Sequence, residues 1–236
     1  MLGRVHEIYL SLSGEGMSMG IPTIFIRFAG CSLRCGKMSG KALWCDTPYA
    51  LGPKEGLILA VEDVIQRVEN LDPKSVCQIL FTGGEPLEGK NGQLLRELSQ
   101  LIFAKRKAHS SLYPMPRIET NGKESIDRLE HCVVTLDYKL PGSGMEAHMR
   151  LENFRILEKR HNILDEMKFV VRDREDYERS LQVLNSIPSH LTVLYSPVYG
   201  ELSPTDLAEW IKDSKLPNVR FSYPLHKVLW GDKKGI

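Results

Sequence analysis

The chain has 236 residues, of which 42% are hydrophobic and 26% charged, and a formal net charge of +1. That length suffices for one α/β domain, in which folding removes roughly 70–75% of the unfolded chain's surface without disulfide staples. The charge balance speaks against the basic footprint of a nucleic-acid binder, no apolar run approaches the ~20 residues of a membrane span, and MLGRVHEIYLSLSGEG lacks the pattern of a signal peptide. A cytoplasmic location is therefore expected, and in that reducing compartment the five cysteines read as metal ligands or buried thiols.

In chain order, Arg4 to Leu10 alternates loosely and reads as a strand. Thr23 to Phe28 is a firmer one, with Ile24, Ile26 and Phe28 on one face and Phe25 and Arg27 on the other. Residues 30–58 show no periodicity and predict a long loop, a length that marks function or disorder inside a compact domain. Val61, Val64, Ile65, Val68 and Leu71 form a helical stripe. A strand from Val76 to Phe81 follows, stopping at Thr82-Gly83-Gly84, and Leu94, Leu95, Leu98, Leu101 and Ile102 mark the next helix. Arg117 to Thr120, Val133 to Asp137, Met167 to Val171 and Thr192 to Tyr195 are further strands. Tyr177, Leu181, Leu184 and Ile187 mark a helix between the last two, and Pro204 to Asp213 predicts one after them. No repeat or linker divides the chain, so residues 1–236 read as a single domain with a cysteine loop at 30–58.

Strands alternating with helices imply a mostly parallel sheet with right-handed crossovers. A closed or partial barrel and an open doubly wound sheet both fit, and both gather ligands at the carboxyl ends of the strands. Gly83-Gly84-Glu85, Glu119-Thr120-Asn121-Gly122, Asp137-Tyr138-Lys139 and Ser196-Pro197 all stand at such ends, and the cysteine loop follows the Thr23–Phe28 strand. Cys31 and Cys35 are separated by three residues, Cys35 and Cys45 by nine. Thiolates select zinc, copper(I) or an iron–sulfur cluster. A structural zinc site closes with four ligands, and Cys77 and Cys132 lie in apolar, strand-like runs that predict buried thiols. Three thiolates around a cubane leave one iron open.

SLSGEGMSMGIPTIFIRFAGCSLRC…WCDT, TGGEP, ETNG and the C-terminal LHKVLWGDKKGI together resemble the 7-carboxy-7-deazaguanine synthase family of radical S-adenosylmethionine enzymes, in the same order from about residue 5 onward. TGGEP alone indicates only the superfamily, whose glycyl-radical activases also combine a three-cysteine loop with Gly-Gly-Glu; a zinc-stabilised binding module leaves TGGEP unexplained. Three features depart from the family pattern: nine residues between Cys35 and Cys45 where two are usual, Ser13 where Gln is common, and Asp137-Tyr138-Lys139 in place of Ser-Pro-Lys.

The resemblance implies a partial (β/α) barrel of the radical S-adenosylmethionine type with a reduced helix complement. It implies a [4Fe-4S] cluster on Cys31, Cys35 and Cys45 whose open iron chelates S-adenosylmethionine, with reductive cleavage releasing a 5′-deoxyadenosyl radical. The substrate implied is 6-carboxy-5,6,7,8-tetrahydropterin, converted with loss of ammonia to 7-carboxy-7-deazaguanine on the way to queuosine. Trp44, Asp46, Gly84, Glu85, Asp137, Tyr138 and Lys139 fall at S-adenosylmethionine positions. Leu12, Ser13, Gly14, Glu15, Arg27 and Thr82 fall at substrate positions, Arg27 suiting the carboxylate because a guanidinium pairs with it bidentately. Thr47 matches a Mg²⁺ position, and one hydroxyl with substrate oxygens suits a hard cation that keeps several waters. Glu119 is a further candidate for the ribose or adenine, and His226, Lys227 and Trp230 are expected to fold back over the pocket. A flavodoxin-like electron donor and a homodimer complete the expectation, with no nucleic-acid or membrane partner.

Overall fold

The computed structural model describes residues 1–37, 43–231, 233 and 235. Part of the expected cysteine loop, residues 38–42, and positions 232, 234 and 236 of the C-terminal motif lie outside the described residues.

Among the described residues nine strands form one sheet: β1 (Leu2–Leu12), β2 (Pro22–Phe28), β3 (Leu57–Ala60), β4 (Gln78–Gly83), β5 (Arg117–Thr120), β6 (Val133–Tyr138), β7 (Glu166–Val171), β8 (Thr192–Pro197) and β9 (Val219–Phe221). Their spatial order is β3-β1-β2-β4-β5-β6-β7-β8-β9. From β2 to β9 neighbours run parallel, while β1 is antiparallel to both β2 and β3. The helices are α1 (Val61–Leu71), α2 (Lys90–Ala108), α3 (Glu152–Arg160), α4 (Arg174–Leu184), α5 (Pro204–Ser214) and α6 (Leu225–Trp230). Among the described residues no helix is long and apolar enough to cross a membrane.

The period of two along the strands decides which way each side chain faces. Ile24, Ile26 and Phe28 of β2, Ile79 and Phe81 of β4, Val134 and Leu136 of β6, and Met167 and Phe169 of β7 join one buried cluster. Val64 and Val68 of α1, Leu94, Leu95 and Leu98 of α2, Leu157 of α3 and Tyr177 of α4 belong to it too. Each such side chain contributes about 1.5–3 kcal/mol when fully buried. The alternate positions Tyr9, Phe25, Arg27, Thr82, Glu119, Asp137 and Lys168 line a cavity on the opposite face. Helices against one face and a polar cavity on the other make a partial barrel, whereas a doubly wound sheet carries helices on both faces. The connection from β5 to β6 contains no helix, one source of the reduced helix complement.

Several boundaries differ from the sequence-based expectation. The cysteine loop is shorter than 30–58, because β3 begins at Leu57 and pairs with β1 through Leu2↔Ala60 and Val5↔Leu57. Four residues are too few to show a period, and this strand exists through its partner. Val76 is exposed and precedes β4, where the Asp72 carboxylate accepts the Val76 and Cys77 amides at 2.9 Å. α3, α6 and β9 were not anticipated. Cys77 and Cys132 are buried, as expected.

Candidate active site

A cavity of about 610 Å³ opens at the carboxyl ends of the central strands, lined by Cys31, Cys35 and Cys45 on one side and by the polar sheet face on the other. Leu12, Gly14, Glu15, Arg27, Trp44, Asp46, Thr47, Thr82, Gly84, Glu85, Asp137 and Lys139 also line it. The ends of β4, β5 and β6 therefore converge with the cysteine loop as the sequence implied, whereas Ser196 and Pro197 at the end of β8 are not among the lining residues, Ser196 Oγ donating instead to Ser222 O at 2.7 Å.

The sheet floor is held by pairs of opposite charge. Arg27 on β2 donates from Nε to Glu7 Oε1 at 2.8 Å and from Nη2 to the Tyr9 hydroxyl at 2.8 Å. The Tyr49 hydroxyl donates to the same Glu7 oxygen at 3.2 Å. On β7, Lys168 Nζ donates to Glu15 Oε2. Lys139 Nζ donates to Asp137 Oδ2 at 2.7 Å, and Thr82 Oγ1 to Glu119 Oε2 at 3.2 Å. Burial raises the Glu119 carboxyl. Burial also opposes ionisation of Glu15, but Lys168, with His226 and Lys139, outweighs it and keeps Glu15 below the usual carboxylate range. Lys168 itself is held above the ordinary lysine value, its desolvation outweighed by Glu15, Asp137 and Glu119.

The Gly83-Gly84-Glu85 turn has a packing reason as well as a chemical one. Gly84 N donates to Phe28 O at 2.9 Å and Glu85 N to Gly30 O at 2.7 Å, which docks the turn on the chain entering the cysteine loop. A Cβ on Gly84 would lie 2.3 Å from Gly30 O, so only glycine fits this approach. The Glu85 carboxylate is fully buried and accepts from Thr120 Oγ1 at 2.7 Å, Asn121 N at 2.8 Å and Leu87 N at 3.0 Å. Burial nevertheless raises it to about 7, the three donors offsetting part of that cost. Glu85 thus ties the end of β4 to the end of β5.

In the loop, Trp44 lines the cavity and stacks over Gly36 at a positive φ of 78°. A Cβ on Gly36 would meet the indole at 2.8 Å. Asn121 Nδ2 donates to Cys31 Sγ at 3.6 Å, and Cys45 Sγ lies 3.8 Å from Thr47 Oγ1. Burial pushes the Cys31 thiol up to about 12 and raises Cys35 as well, so iron rather than the apoprotein environment would have to stabilise the thiolates. Among the described residues no three His, Cys, Asp or Glu side chains gather closely enough to enclose a single metal ion; a cubane distributes its ligands over separate corners. The donor set of three cavity-lining thiols fits a cluster with one iron free of protein. Asp137 Oδ1 is buried without a hydrogen-bond partner among the described residues, an acceptor suited to a hydroxyl or amino group of a bound cofactor.

Two predicted site side chains turn away from the cavity. Ser13 is buried, its hydroxyl 2.8 Å from Ser18 Oγ. Tyr138 packs between Phe154 and Phe169 and its hydroxyl donates to Glu146 Oε1 at 3.0 Å; strand alternation sends it to the helix side while Asp137 and Lys139 face inward. Either residue can meet a ligand only through its backbone. His226 and Lys227 line the cavity and Leu225 N donates to Gly14 O at 2.9 Å, whereas Trp230 is not among the lining residues. Lys168, Glu7, Tyr9 and Tyr49 were not anticipated as site residues. A lysine alternating with Met167 and Phe169 on a strand was the available signal for Lys168.

Comparison with known proteins gives four findings. The family described as "4Fe-4S single cluster domain" matches residues 12–157. A 7-carboxy-7-deazaguanine synthase of Leptospira interrogans is 55% identical over 232 residues, covering 98% of this chain and 97% of that protein. Another, from Clostridium acetobutylicum, is 32% identical over 240 residues, covering 99% of each. The crystal structure of QueE from Escherichia coli superposes with a TM-score of 0.68 at 24% identity, covering 94% of both chains, which supports the fold.

Proposed function

The chain belongs to the 7-carboxy-7-deazaguanine synthases, radical S-adenosylmethionine enzymes with a single [4Fe-4S] cluster, and we propose from its cavity how its residues serve that reaction. The substrate is 6-carboxy-5,6,7,8-tetrahydropterin, and the product is 7-carboxy-7-deazaguanine with release of ammonia. One observation carries the reading: the three loop cysteines and Arg27 line the same cavity. Cys31, Cys35 and Cys45 hold the cluster, which with S-adenosylmethionine supplies the one-electron cleavage that generates the hydrogen-abstracting species.

The remaining roles belong to the chain. Arg27, fixed by Glu7 and Tyr9, presents its remaining guanidinium N–H groups to the substrate carboxylate. Glu15, the backbone of Leu12 to Gly14, and Thr82 surround the pterin. Gly84, the Asp137–Lys139 pair, Trp44 and Asp46 face S-adenosylmethionine, and Glu85 positions Thr120 and Asn121 beside Cys31. Thr47 offers its hydroxyl to Mg²⁺. The segment carrying His226 and Lys227 excludes water. We place the enzyme in the cytoplasm as a homodimer served by a flavodoxin-like electron donor. The relatives' names favour the synthase over a glycyl-radical activase.

The test is conversion by anaerobically reconstituted enzyme of the tetrahydropterin and S-adenosylmethionine, with product and 5′-deoxyadenosine followed by mass spectrometry. Cleavage of S-adenosylmethionine without 7-carboxy-7-deazaguanine would remove the substrate reading.

A further inference from the structure

Lys168 has no part in the roles above, yet it stands mid-strand on the cavity face of β7, with Val170 beside it on the same lining. Its Nζ donates to Glu15 Oε2, and among the described residues neither group has another hydrogen bond. An ammonium carries three N–H donors and a carboxylate about four lone-pair positions. Two Lys168 donors and the whole of Glu15 Oε1 are therefore unclaimed. The two side chains are only 12% and 15% exposed, so these groups look into the cavity and little else. Leaving them unpaired in a shielded site is costly.

Charge keeps the arrangement in one state. Lys168, with His226 and Lys139, holds Glu15 ionised, and Glu15, Asp137 and Glu119 hold Lys168 protonated, both against the opposing effect of burial. A fixed donor thus lies beside a fixed acceptor. That order is the complement of a cyclic lactam, in which a carbonyl oxygen is followed by a ring N–H and, in a 2-amino-4-oxo pyrimidine, by an exocyclic amine. Arg27 lies on β2 and Lys168 on β7, with β4, β5 and β6 between them across the floor. Glu119 on the intervening β5 is near enough to influence both Tyr9 and Lys168. One ligand with a carboxylate at one end and a lactam at the other spans such a floor.

We infer that Lys168 donates a charge-assisted hydrogen bond to the ring carbonyl of the 2-amino-4-oxo pyrimidine while Glu15 accepts from the adjacent N–H groups, so that the pair selects the lactam edge of the substrate. This rests on the pterin reading given above. The competing account makes Lys168 only the counter-ion of Glu15, with no ligand contact of its own.

The probe is 6-carboxypterin, a stable compound with the same lactam and carboxylate, titrated by its fluorescence into reconstituted holoenzyme with S-adenosylmethionine. A second sample, labelled with ¹⁸O at the ring carbonyl, reports the carbonyl stretch in the infrared difference spectrum. Lys168→Met should weaken binding by at least about tenfold, the effect of one charge-assisted hydrogen bond, and move the carbonyl band up from its wild-type position. Lys168→Arg keeps a charged donor and should retain most of the band shift. An unchanged cluster spectrum in each variant shows that the fold is intact, and Lys168→Gln replaces Met where it is not. A carbonyl band at the same position in wild type and in the variants lacking a cation overturns the inference, even if affinity falls. Failure of the wild type to bind 6-carboxypterin or to turn over the tetrahydropterin removes the pterin reading, and the inference with it.

Discussion

The sheet floor and the cysteine loop face each other across one cavity but are built in opposite ways. On the floor, Arg27 is held by Glu7 and Tyr9, Lys139 by Asp137, and Lys168 by Glu15, each charge fixed by another from the fold itself. In the loop, Cys31 Sγ has a 3.6 Å contact from Asn121 and Cys45 Sγ a 3.8 Å contact with Thr47. Weak sulfur contacts do not fix three thiols at the corners of a cluster. The floor is preorganised by the protein, and in the proposed function the loop is completed by the cluster it would hold.

If that contrast is right, substitutions in the loop act on the cluster as a whole. Replacing Cys31, Cys35 or Cys45 singly by Ala should abolish the reconstituted [4Fe-4S] spectrum and all reductive cleavage. Cys77→Ala and Cys132→Ala, remote from the cavity and buried under the sheet, should keep both and cost only fold stability. A full cluster in Cys45→Ala, measured by iron and sulfide content and EPR, would show that the nine-residue spacing had misassigned the third ligand.

Glu85 lies at the seam, bonded to Thr120 and to Asn121, which in turn reaches Cys31. Its folded carboxyl titrates near 7 because it is buried, against 4.5 for the free group. Between those values the unfolded chain releases a proton that the folded chain keeps, so the contribution of Glu85 to stability is greatest below about pH 4.5, falls as pH rises and levels off above about 7. The contribution is at most about 3 kcal/mol. Denaturant unfolding of the cluster-free protein across that range should show the fall, and Glu85→Gln should flatten it. An equal slope in both proteins would mean that the three donors keep Glu85 ionised.

On the floor, effects should divide between substrate and cofactor. Arg27→Lys loses the bidentate geometry and should raise KM by about ten- to a hundredfold, while S-adenosylmethionine cleavage without substrate stays near wild type. Glu7→Gln keeps a hydrogen-bond acceptor for Arg27 but removes the charge, and should be milder. Parallel loss of both activities would make Arg27 a structural residue and erase the contrast between floor and loop.

Much of this division was legible in the sequence because it follows simple periods. Alternation along Thr23–Phe28 separated Arg27 from Ile26 and Phe28, and the polar groups at the ends of β4, β5 and β6 did converge, while Ser196-Pro197 at the end of β8 lies outside the cavity lining. The same rule, applied to Asp137-Tyr138-Lys139, assigns Tyr138 to the helix side, where the structure has it; a motif taken as a block hid that. Lys168 was hidden in a run that reads as a buried strand, since its partner Glu15 is 153 residues away. β3 and β9, four and three residues long, exist through pairing rather than local pattern, which no window along the chain displays.

Thr47 tests the contrast at its finest point, because it belongs to the loop yet is anchored to the turn on the sheet. Its hydroxyl donates to Gly83 O at 3.2 Å, which leaves the oxygen lone pairs available to a cation. Mg²⁺ binding Thr47 and substrate oxygens together should bind more tightly when substrate is present, by reciprocal linkage. Turnover should then be stimulated by Mg²⁺, Thr47→Ala should remove most of that stimulation without changing the cluster spectrum, and Thr47→Ser should be the smaller change. Thr47 also closes the short 3₁₀ turn Pro48–Ala50, its carbonyl accepting Ala50 N at 3.0 Å. A residue that served only this turn would respond equally to both substitutions, with no effect of Mg²⁺ or chelator. A crystal structure with substrate and Mg²⁺ decides between them: an octahedral ion with oxygen ligands at about 2.0–2.1 Å, one of them Thr47 Oγ1, supports the metal role, and turnover insensitive to Mg²⁺ beside an ion-free Thr47 ends it.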